Sequence, residues 1–561
     1  MTVSPEDFGA IGDGIADDTA AWQGAVDTGL AIECEPGKTY RLDSFVTPTK
    51  TVDIDLNGSV VAPYGAHNFL NRDLNPTAST TISSGATEGS LQVVVASASG
   101  LAAGGWLSIT ANNAPTDDVL FYPVCWSKIL TISGTAITLD RPLPVTFLGT
   151  VSAQFFTTAQ ILGKCRIVNG VIDGAACTKT SSQGMALRIQ GYEDFTMEGV
   201  TVRNFTGTIN VVQTVNCIRQ NITSCLWFDI VNTACCAAFE QSNSIHFSNN
   251  NIKCSAFGVN ITKAVTCAVV GNTVVGNDRA DAAATPPVTN RSIRGIKVSG
   301  VVWPQIVGNH ASDFESPIRI EAPWGGTITG NTVSFGGGGQ YGIALNVSAT
   351  AVTQGRGVVI ANNHVRFCNG TGIGYSGVTP GNIVITGNIV QNTQFVGIYA
   401  PTTNSMISGN RIDNWDLGSY GVEGIYPGSG ATITGNRFAH STDTTRTCIR
   451  ATFASTFRYA IYGNVCETAN PMFASGKVLE EQGTGTIASA VTSATVTHNL
   501  VRTPTASEIS VNLLEDPTSD PGIIWISGIS STQFTVNCRT APGALNLDFA
   551  WRAAIQQPFT V

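Results

Sequence analysis

The chain has 561 residues, 43% of them hydrophobic and only 12% charged, with 59 glycines; a usual charged share is about 25%, so this is neither a disordered polymer nor a highly charged surface binder. Thirty Lys and Arg against thirty-nine Asp and Glu leave a net charge of −9, which repels a phosphate backbone, and no basic run offsets it, so nucleic acid is not expected as a partner. No apolar run reaches the ~18 residues of a membrane span, and Met1-Thr2-Val3-Ser4-Pro5 lacks the basic start and apolar stretch of a signal peptide.

At the N-terminus the string DFGAIGDGIADDTAAWQGAVD runs from Asp7 to Asp27. Asp17 or Asp18 is expected to cap a helix whose apolar side carries Ile15, Thr19, Trp22 and Val26 and plugs the end of a larger stack. Residues 1–50 form this cap and the first strands, and residues 51–160 early coils with a small β insertion at about 77–147, where TISSGATEGSLQVVVASASG and ILTISGTAITLDRPL read as short strands joined by glycine turns. The fourteen cysteines include Cys235-Cys236 but no C-x-x-C. Spread over a large apolar chain, they are read mainly as buried thiols.

From about 161 to 480 one phrase recurs, apolar-x-apolar-x-Gly-Asn-x-apolar, as in AVVGNTV, TITGNTV, IVITGNIV and TITGNRF. The Asn of each phrase, or the Gly in its place, falls at Gly170, Gly199, Asn221, Asn250, Asn272, Asn309, Asn331, Asn363, Asn388, Asn410, Asn436 and Asn464. Four of these eleven intervals are 22 residues, the shortest value, so 22 is the bare unit and longer intervals carry loops. A second short strand follows each phrase (GVNI, GIKV, SPIRI, GIAL, FVGIY, EGIY). Period-two alternation with no helical competitor makes every unit strand, turn and strand. One unit cannot bury its apolar face alone, so successive turns must stack into a parallel β-solenoid, the Gly-Asn giving a left-handed bend. After Gly483 the repeat stops, and residues 484–561 read as an antiparallel β domain.

The opening string and the Gly-Asn phrases together resemble the pectate-lyase-like right-handed β-helix proteins, above all bacteriophage tailspikes and related exopolysaccharide depolymerases, over about residues 5 to 475. The resemblance implies an all-β right-handed parallel β-helix that binds a bacterial surface polysaccharide (O-antigen, capsule or exopolysaccharide) and cleaves it internally. It implies a homotrimer joined through the C-terminal domain, located on a virion tail or outside the cell, with a phage tail or adaptor protein as a further partner. Tailspikes carry a particle-attachment segment before the solenoid, whereas here the string begins within the first ten residues. A truncated chain, attachment through an adaptor, and a bacterial or prophage enzyme are the alternatives. Polygalacturonases of the same fold carry Asn-Thr-Asp and Gly-His-Gly motifs, and neither is found.

Stacked coils bring carboxylates from successive turns to the separations that glycoside hydrolysis uses, about 5–5.5 Å for retention and ~6.5–9.5 Å for inversion. The longest interval carries Asp278, Arg279, Asp281, Arg291, Arg294 and Lys297, and the next carries His310, Asp313, Glu315, Arg319 and Glu321. The register of GIKV and SPIRI points Ile296 and Ile318 inward and Lys297 and Arg319 outward, with Glu321 the next outward position. The catalytic pair is therefore sought between Asp278 or Asp281 and Asp313 or Glu315, with Glu321 the strand-borne alternative; surface ion pairing with the neighbouring arginines is the competing account. Lys297, Arg319, His310, Trp303 and Trp324 are candidate substrate contacts, the two indoles expected near one corner. A second cluster, Asp413, Trp415, Asp416, Tyr420, Glu423 and Tyr426, with Tyr399 one coil earlier at the position of Tyr426, reads as further binding subsites. A lyase using Lys297, Arg319 or His310 as base on a uronic-acid glycan, and a binding-only receptor, are the rival functions. The acidic turn from Glu515 to Asp520 reads as a strand connection rather than a calcium loop, and the six histidines lack metal-ligand spacing, so no cofactor and no metal are expected.

Overall fold

In the computed structural model the described residues are 1–112, 123–178, 184–206, 210–231, 235–254, 257–276, 294–334, 341–347, 357–377, 382–440, 445–450, 458–467, 472–473, 479–514, 520–555 and 559–560. The chain is all-β, a parallel β-solenoid of about 16 turns with a small antiparallel region near the C-terminus. It divides into two compact units, residues 1–384 and 385–561.

In the first unit each full coil contributes one strand to each of three parallel sheets. In the first sheet Phe247, Val269, Ile306, Ile328 and Ile360 stack as register partners. The second stacks Ile252, Val274, Ala311, Val333 and Val365, and the third Ile296, Ile318, Ile343 and Ile373. All of these are buried, because a period-two strand sends alternate side chains to the shaft interior. Burying each Val, Ile or Phe of these columns is worth about 1.5–3 kcal/mol before conformational entropy is counted.

The corner between the first and second sheets is built from the Gly-Asn phrase. Gly271, Gly308 and Gly330 hold φ near +65°, and Asn249 and Asn362 take the same left-handed position with φ of 54°, which suits only Gly or Asn at low cost. The next residue is a buried asparagine that joins a ladder. Asn272 donates from its backbone N–H (3.0 Å) and its Nδ2 (2.9 Å) to Oδ1 of Asn309, and Asn309 does the same to Asn331. Nδ2 of Asn309 also donates to the Val269 carbonyl at 2.8 Å. Backbone groups at each bend are thereby satisfied inside the protein.

Two positions in the sequence-derived ladder need correcting. Strand register puts Val200 and Cys225, not Gly199 and Asn221, in the asparagine column. Cys225 donates its N–H to Oδ1 of Asn250, while Asn221 lies on the first sheet with its side chain outward. Apolar residues replace the amide there, so spelling alone misplaced the phase.

The cap helix spans Thr19–Thr28 and buries Thr19, Trp22 and Val26. Trp22 meets Tyr40 and Phe69 edge-on at 5.4 and 5.0 Å. Ile15, expected on this apolar side, is exposed, because it precedes the helix in the strand Asp13–Asp17. Asp17 Oδ1 accepts the Thr19 N–H, whereas the Asp18 carboxylate accepts N–H groups of Ile11 and Gly12. Antiparallel strands Ala78–Ser84, Gln92–Val95, Trp106–Asn112, Cys125–Ser133, Ala136–Leu139 and Thr150–Phe156 close into a small barrel inserted between early coils.

In the second unit the same coil pattern continues, with Ile407–Ile433–Ile461, Val390–Ile412–Phe438 and Ile398–Ile425–Ile449 as the three inward columns. Asn388, Asn410, Asn436 and Asn464 form an asparagine ladder. Its C-terminal part holds two three-stranded antiparallel sheets, one of Glu480–Ile487, Leu547–Ala554 and Ile509–Leu513, the other of Ser493–Thr497, Gln533–Cys538 and Ile524–Ser527. Among the described residues twelve cysteines lie outside any disulfide, all but Cys177 buried, and Cys448 pairs with Cys466.

Candidate functional site

Two side-chain clusters carry chemistry, one in each unit. In the first, strand register makes Lys297 and Arg319 neighbours on successive coils of the third sheet, with Ser299 beside Glu321. Both cations point outward, as the sequence required. Glu321 is only 7% exposed. Its Oε1 meets Arg319 Nε at 2.6 Å and Arg294 Nη1 at 3.3 Å, while Oε2 meets Lys297 Nζ at 3.1 Å and Ser299 Oγ at 3.0 Å. Burial pushes its pKa up, but Lys297, Arg294 and Arg319 outweigh that and hold the carboxyl below its ordinary value. Glu321 is thus a fixed carboxylate. It has no proton to give at neutral pH, which argues against the general-acid role considered for it.

Asp313 and Glu315 stand apart from this group, on the corner between the second and third sheets. Asp313 has left-handed φ of 64° and accepts from Ser312 Oγ at 2.9 Å; Glu315 is half-buried and its charge bears on Arg294. Asp278 and Asp281 lie outside the described residues. His310 is on the second sheet in a column with Thr273, Thr332 and His364, so it does not join Lys297 and Arg319. Trp303 and Trp324 do meet at one corner, where the Trp303 N–H donates to the Trp324 carbonyl at 3.2 Å. They differ in use, however. Trp303 is 51% exposed, while Trp324 is fully buried and offers no ring face to a sugar.

The second cluster is assembled by a loop. Backbone N–H groups of Asp416, Leu417 and Gly418 donate to carbonyls of Phe395, Thr393 and Gln394, laying residues 416–418 along 393–395. Asp416 is buried, and its oxygens accept N–H bonds from Tyr420 (2.7 Å), Gly421 (3.0 Å) and Val422 (3.2 Å) and pair with Arg446. This fixes Tyr420, 60% exposed, stacked on Phe395 with ring centroids 4.1 Å apart and planes 7° from parallel. Tyr399 and Tyr426 are register partners on the third sheet with centroids 5.0 Å apart.

Glu423 ends the same loop. It is 8% exposed, Oε2 has no hydrogen-bond partner, and the nearest cation, Arg450 Nη1, is 3.9 Å away. Burial raises its pKa, Arg450 only partly opposes this, and the Asp416 charge adds to the rise. The Arg450 guanidinium also lies 4.7 Å over the Tyr426 ring. Trp415 is fully buried under His440, whose Nε2 is 2.7 Å from the Trp415 carbonyl, so it is core and not a sugar contact. Asp413 sits at the end of a second-sheet strand, with Oδ2 bound to Arg411 and Gln391 at 2.8 and 2.9 Å.

Sequence reading passed over Arg450, Arg446, Phe395 and the part Arg294 plays. A signal existed for Arg450: Ile449 bridges to Ile425, so Cys448-Ile449-Arg450 is a degenerate third-sheet phrase and Arg450 follows Tyr399 and Tyr426 in one column.

The family described as "Periplasmic copper-binding protein (NosD)" matches residues 282–467, a stretch whose described strands belong to the solenoid coils. Among the described residues no group of three or more His, Cys, Asp or Glu gathers to hold a metal ion, and His310 and His364 are separated by the Thr332 coil, so the described residues do not form a copper centre. No curated protein matches the chain. Among solved structures, the tailspike protein gp49 from Pseudomonas phage LKA1 is similar with a TM-score of 0.52 and 13% identity over 100% of both chains. The tailspike gp61 of Pseudomonas phage phi297 gives 0.48 and 11% over 99% of each. The Gp54 tailspike of Acinetobacter baumannii bacteriophage AP22, solved with a capsular saccharide, gives 0.42 and 12% over 99% of this chain and 96% of that one. The inward columns, the asparagine corners and the likeness to the first of these agree that this chain has the right-handed parallel β-helix fold found in phage tailspikes.

Proposed function

We propose that this protein binds a bacterial surface polysaccharide and cleaves it internally by hydrolysis, in the manner of a phage-type tailspike depolymerase, with Glu423 as proton donor to the glycosidic oxygen. The observation that carries this is Glu423 itself: a buried carboxyl whose pKa burial raises, its Oε2 without a hydrogen bond and 3.9 Å from Arg450 Nη1, where Arg450 lies over the ring of Tyr426, the neighbour of Tyr399. A carboxyl pKa raised by burial holds the proton to higher pH than an ordinary glutamate does, the direction a general acid needs. Tyr399, Tyr426 and the exposed Tyr420 supply ring faces against which the apolar faces of sugars pack. Asp416, bound on both oxygens, holds the loop and serves as a positioning residue.

A homotrimer on a virion tail or outside the cell fits this reading. Its support in the chain is the exposed apolar side chains of the C-terminal region, Trp525 on a strand and Leu514, Ile523 and Leu545 in the segments beside the strands. The test is incubation with purified O-antigen, capsule and exopolysaccharide, with mass spectrometry of the products. Shortened, saturated oligosaccharides from the wild type and none from Glu423→Gln are expected; full activity in Glu423→Gln refutes the assignment. A lyase is favoured by one observation, the side-by-side Lys297 and Arg319, and would reveal itself by products that absorb in the ultraviolet.

A further inference from the structure

Six Asp or Glu side chains are buried among the described residues: Asp18, Glu321, Asp413, Asp416, Glu423 and Glu508. Four of them touch an arginine within hydrogen-bond distance, Glu321 with Arg319, Asp413 with Arg411, Asp416 with Arg446 and Glu508 with Arg502, and Asp18 accepts two backbone N–H groups. Glu423 differs. An arginine stands beside it, yet Arg450 Nη1 stops 3.9 Å from Oε2, beyond hydrogen-bond reach, and that oxygen has no hydrogen-bond partner.

The stand-off has a visible cause. The Arg450 N–H donates to the Ile425 carbonyl at 2.9 Å, and Ile449 bridges to Ile425, so Arg450 leaves the coil one rung beyond Tyr426. Its guanidinium lies over that ring, 4.7 Å from the centroid. Tyr426 is braced in turn by Tyr399, 5.0 Å away on the preceding coil. With 48% of its side chain exposed, against 11% for Glu423, the arginine has room to move, and a shift of about 1 Å would make a charge-assisted hydrogen bond. The other charge bearing on Glu423 is Asp416 of its own loop, which Arg446 already engages; Tyr426 and Tyr399 are the titratable groups on the adjoining third-sheet strands.

A general acid begins neutral and ends charged. Burial that keeps the proton on Glu423 also penalises the carboxylate left when the proton goes. A cation in contact from the start, as at Glu321, strips the proton beforehand, and no cation at all leaves the new charge stranded. A cation held alongside but apart assists only the charged state, which is the differential interaction that speeds a reaction. We propose that Arg450 is a positioning residue for the hydrolysis assigned to Glu423: it rests on the Tyr426 ring while Glu423 is protonated and closes onto the carboxylate as the proton passes to the glycosidic oxygen. The bond from that oxygen to the anomeric carbon breaks with its electron pair going to the oxygen, and water adds to the carbon and releases a proton to solvent. Glu423 then takes a proton back from solvent as Arg450 returns to the ring. The role of Arg450 rests on the hydrolase reading, whereas its coupling to Glu423 is measurable on the protein alone.

The experiment follows the Glu423 carboxyl band by infrared difference spectroscopy on the full chain, each protein against its Glu423→Gln counterpart, through a pH titration without glycan. Arg450→Gln should move the titration midpoint to higher pH, and Arg450→Lys should return it toward wild type. Tyr426→Leu, which takes away the ring that holds the arginine back, should move it to lower pH. Opposite displacements by two neighbouring side chains are not what a general loosening produces, and Tyr426→Leu decides alone if Arg450→Gln does not fold. Unmoved midpoints, or midpoints displaced in the same direction by Arg450→Gln and Tyr426→Leu, overturn the proposal. On a cleaved polysaccharide the alkaline limb of the rate profile should follow the midpoints, and Arg450→Gln should lower kcat about tenfold with KM little changed; an unaltered kcat overturns it too. If the midpoints move as stated and the wild type cuts no glycan, the hydrolase reading falls while the coupling of Arg450 to Glu423 stands. If the wild type cuts, Glu423→Gln does not and the midpoints stay fixed, the role of Arg450 falls and the hydrolase reading stands.

Discussion

Arg446 donates from Nη1 to Oδ2 of Asp416, thirty residues earlier in the chain, and the carboxylate so neutralised gathers the N–H groups of Tyr420, Gly421 and Val422. One buried ion pair therefore shapes the loop that presents both the Tyr420 platform and Glu423. Asp416→Ala removes the carboxylate and leaves Arg446 and three amides without it, an expected cost of about 3 kcal/mol. Limited proteolysis should then cut within 416–423 before the wild type is touched. An unchanged melting temperature together with an uncut loop would show that Asp416 does not organise it.

Glu423→Gln separates catalysis from stability. Losing a general acid should lower the cleavage rate by about 10²–10⁴-fold, measured as reducing ends released. The wild-type rate should also fall as pH rises through the raised pKa of Glu423. For stability the sign is the same: a carboxyl whose folded pKa lies above its ordinary 4.5 contributes fully below that value, and the contribution is lost as pH rises through the folded pKa. At neutral pH the glutamine variant should accordingly melt no earlier than wild type. Earlier melting would mean that Glu423 is held as a stabilising carboxylate.

Glu321 has the opposite sign. Its folded pKa is held below the ordinary 4.5 by Lys297, Arg294 and Arg319, so its contribution is present above that value and is lost as pH falls through the folded pKa. Glu321→Gln removes the carboxylate charge that three part-buried cations share and should cost about 3 kcal/mol at neutral pH. The gap should close on acidification. Urea titrations of both proteins between neutral and acid pH measure this, and a constant gap would contradict the account.

Asn309→Ala removes an acceptor used twice by Asn272 and donors used on Asn331 and the Val269 carbonyl. With buried backbone N–H left unpaired, a loss of about 2–3 kcal/mol is expected. Because Asn272 and Asn309 share bonds, the double alanine variant should lose less than the two single losses added. Strict additivity in urea denaturation would indicate that the rungs act independently.

The coil was legible because its determinants are local. Gly-Asn at a left-handed bend and period-two alternation on either side need no knowledge of neighbours, and they oriented Ile296, Ile318, Lys297, Arg319, Tyr399 and Tyr426 before any coordinates. Where apolar residues replaced the amide, at Val200 and Cys225, the phase slipped by one and four residues. Ile15 failed for a related reason, since a helical pattern does not announce where its first turn begins. The candidate site was legible only as a list of polar residues. Composition cannot separate Trp303 from Trp324, or Glu423 from Asp416, because exposure and partner choice depend on what lies on the coil above and below.

The amino-acid order by itself determined a wound ribbon of stacked strand-turn-strand units, its inward columns and its corner residues, since each is set within a few positions along the backbone; that a full coil carries a third strand was decided by the fold. Only the folded molecule decided which charges meet. Asparagine partners on successive coils are 22 residues apart at one step and 37 at the next, so vertical neighbours cannot be counted off from local spacing. Stacking alone brings Arg446 to Asp416, Arg450 to Glu423 and Tyr426, and three cations to Glu321; burial in that stack then drives the carboxyl of Glu423 up, while the three cations outweigh burial and hold that of Glu321 down.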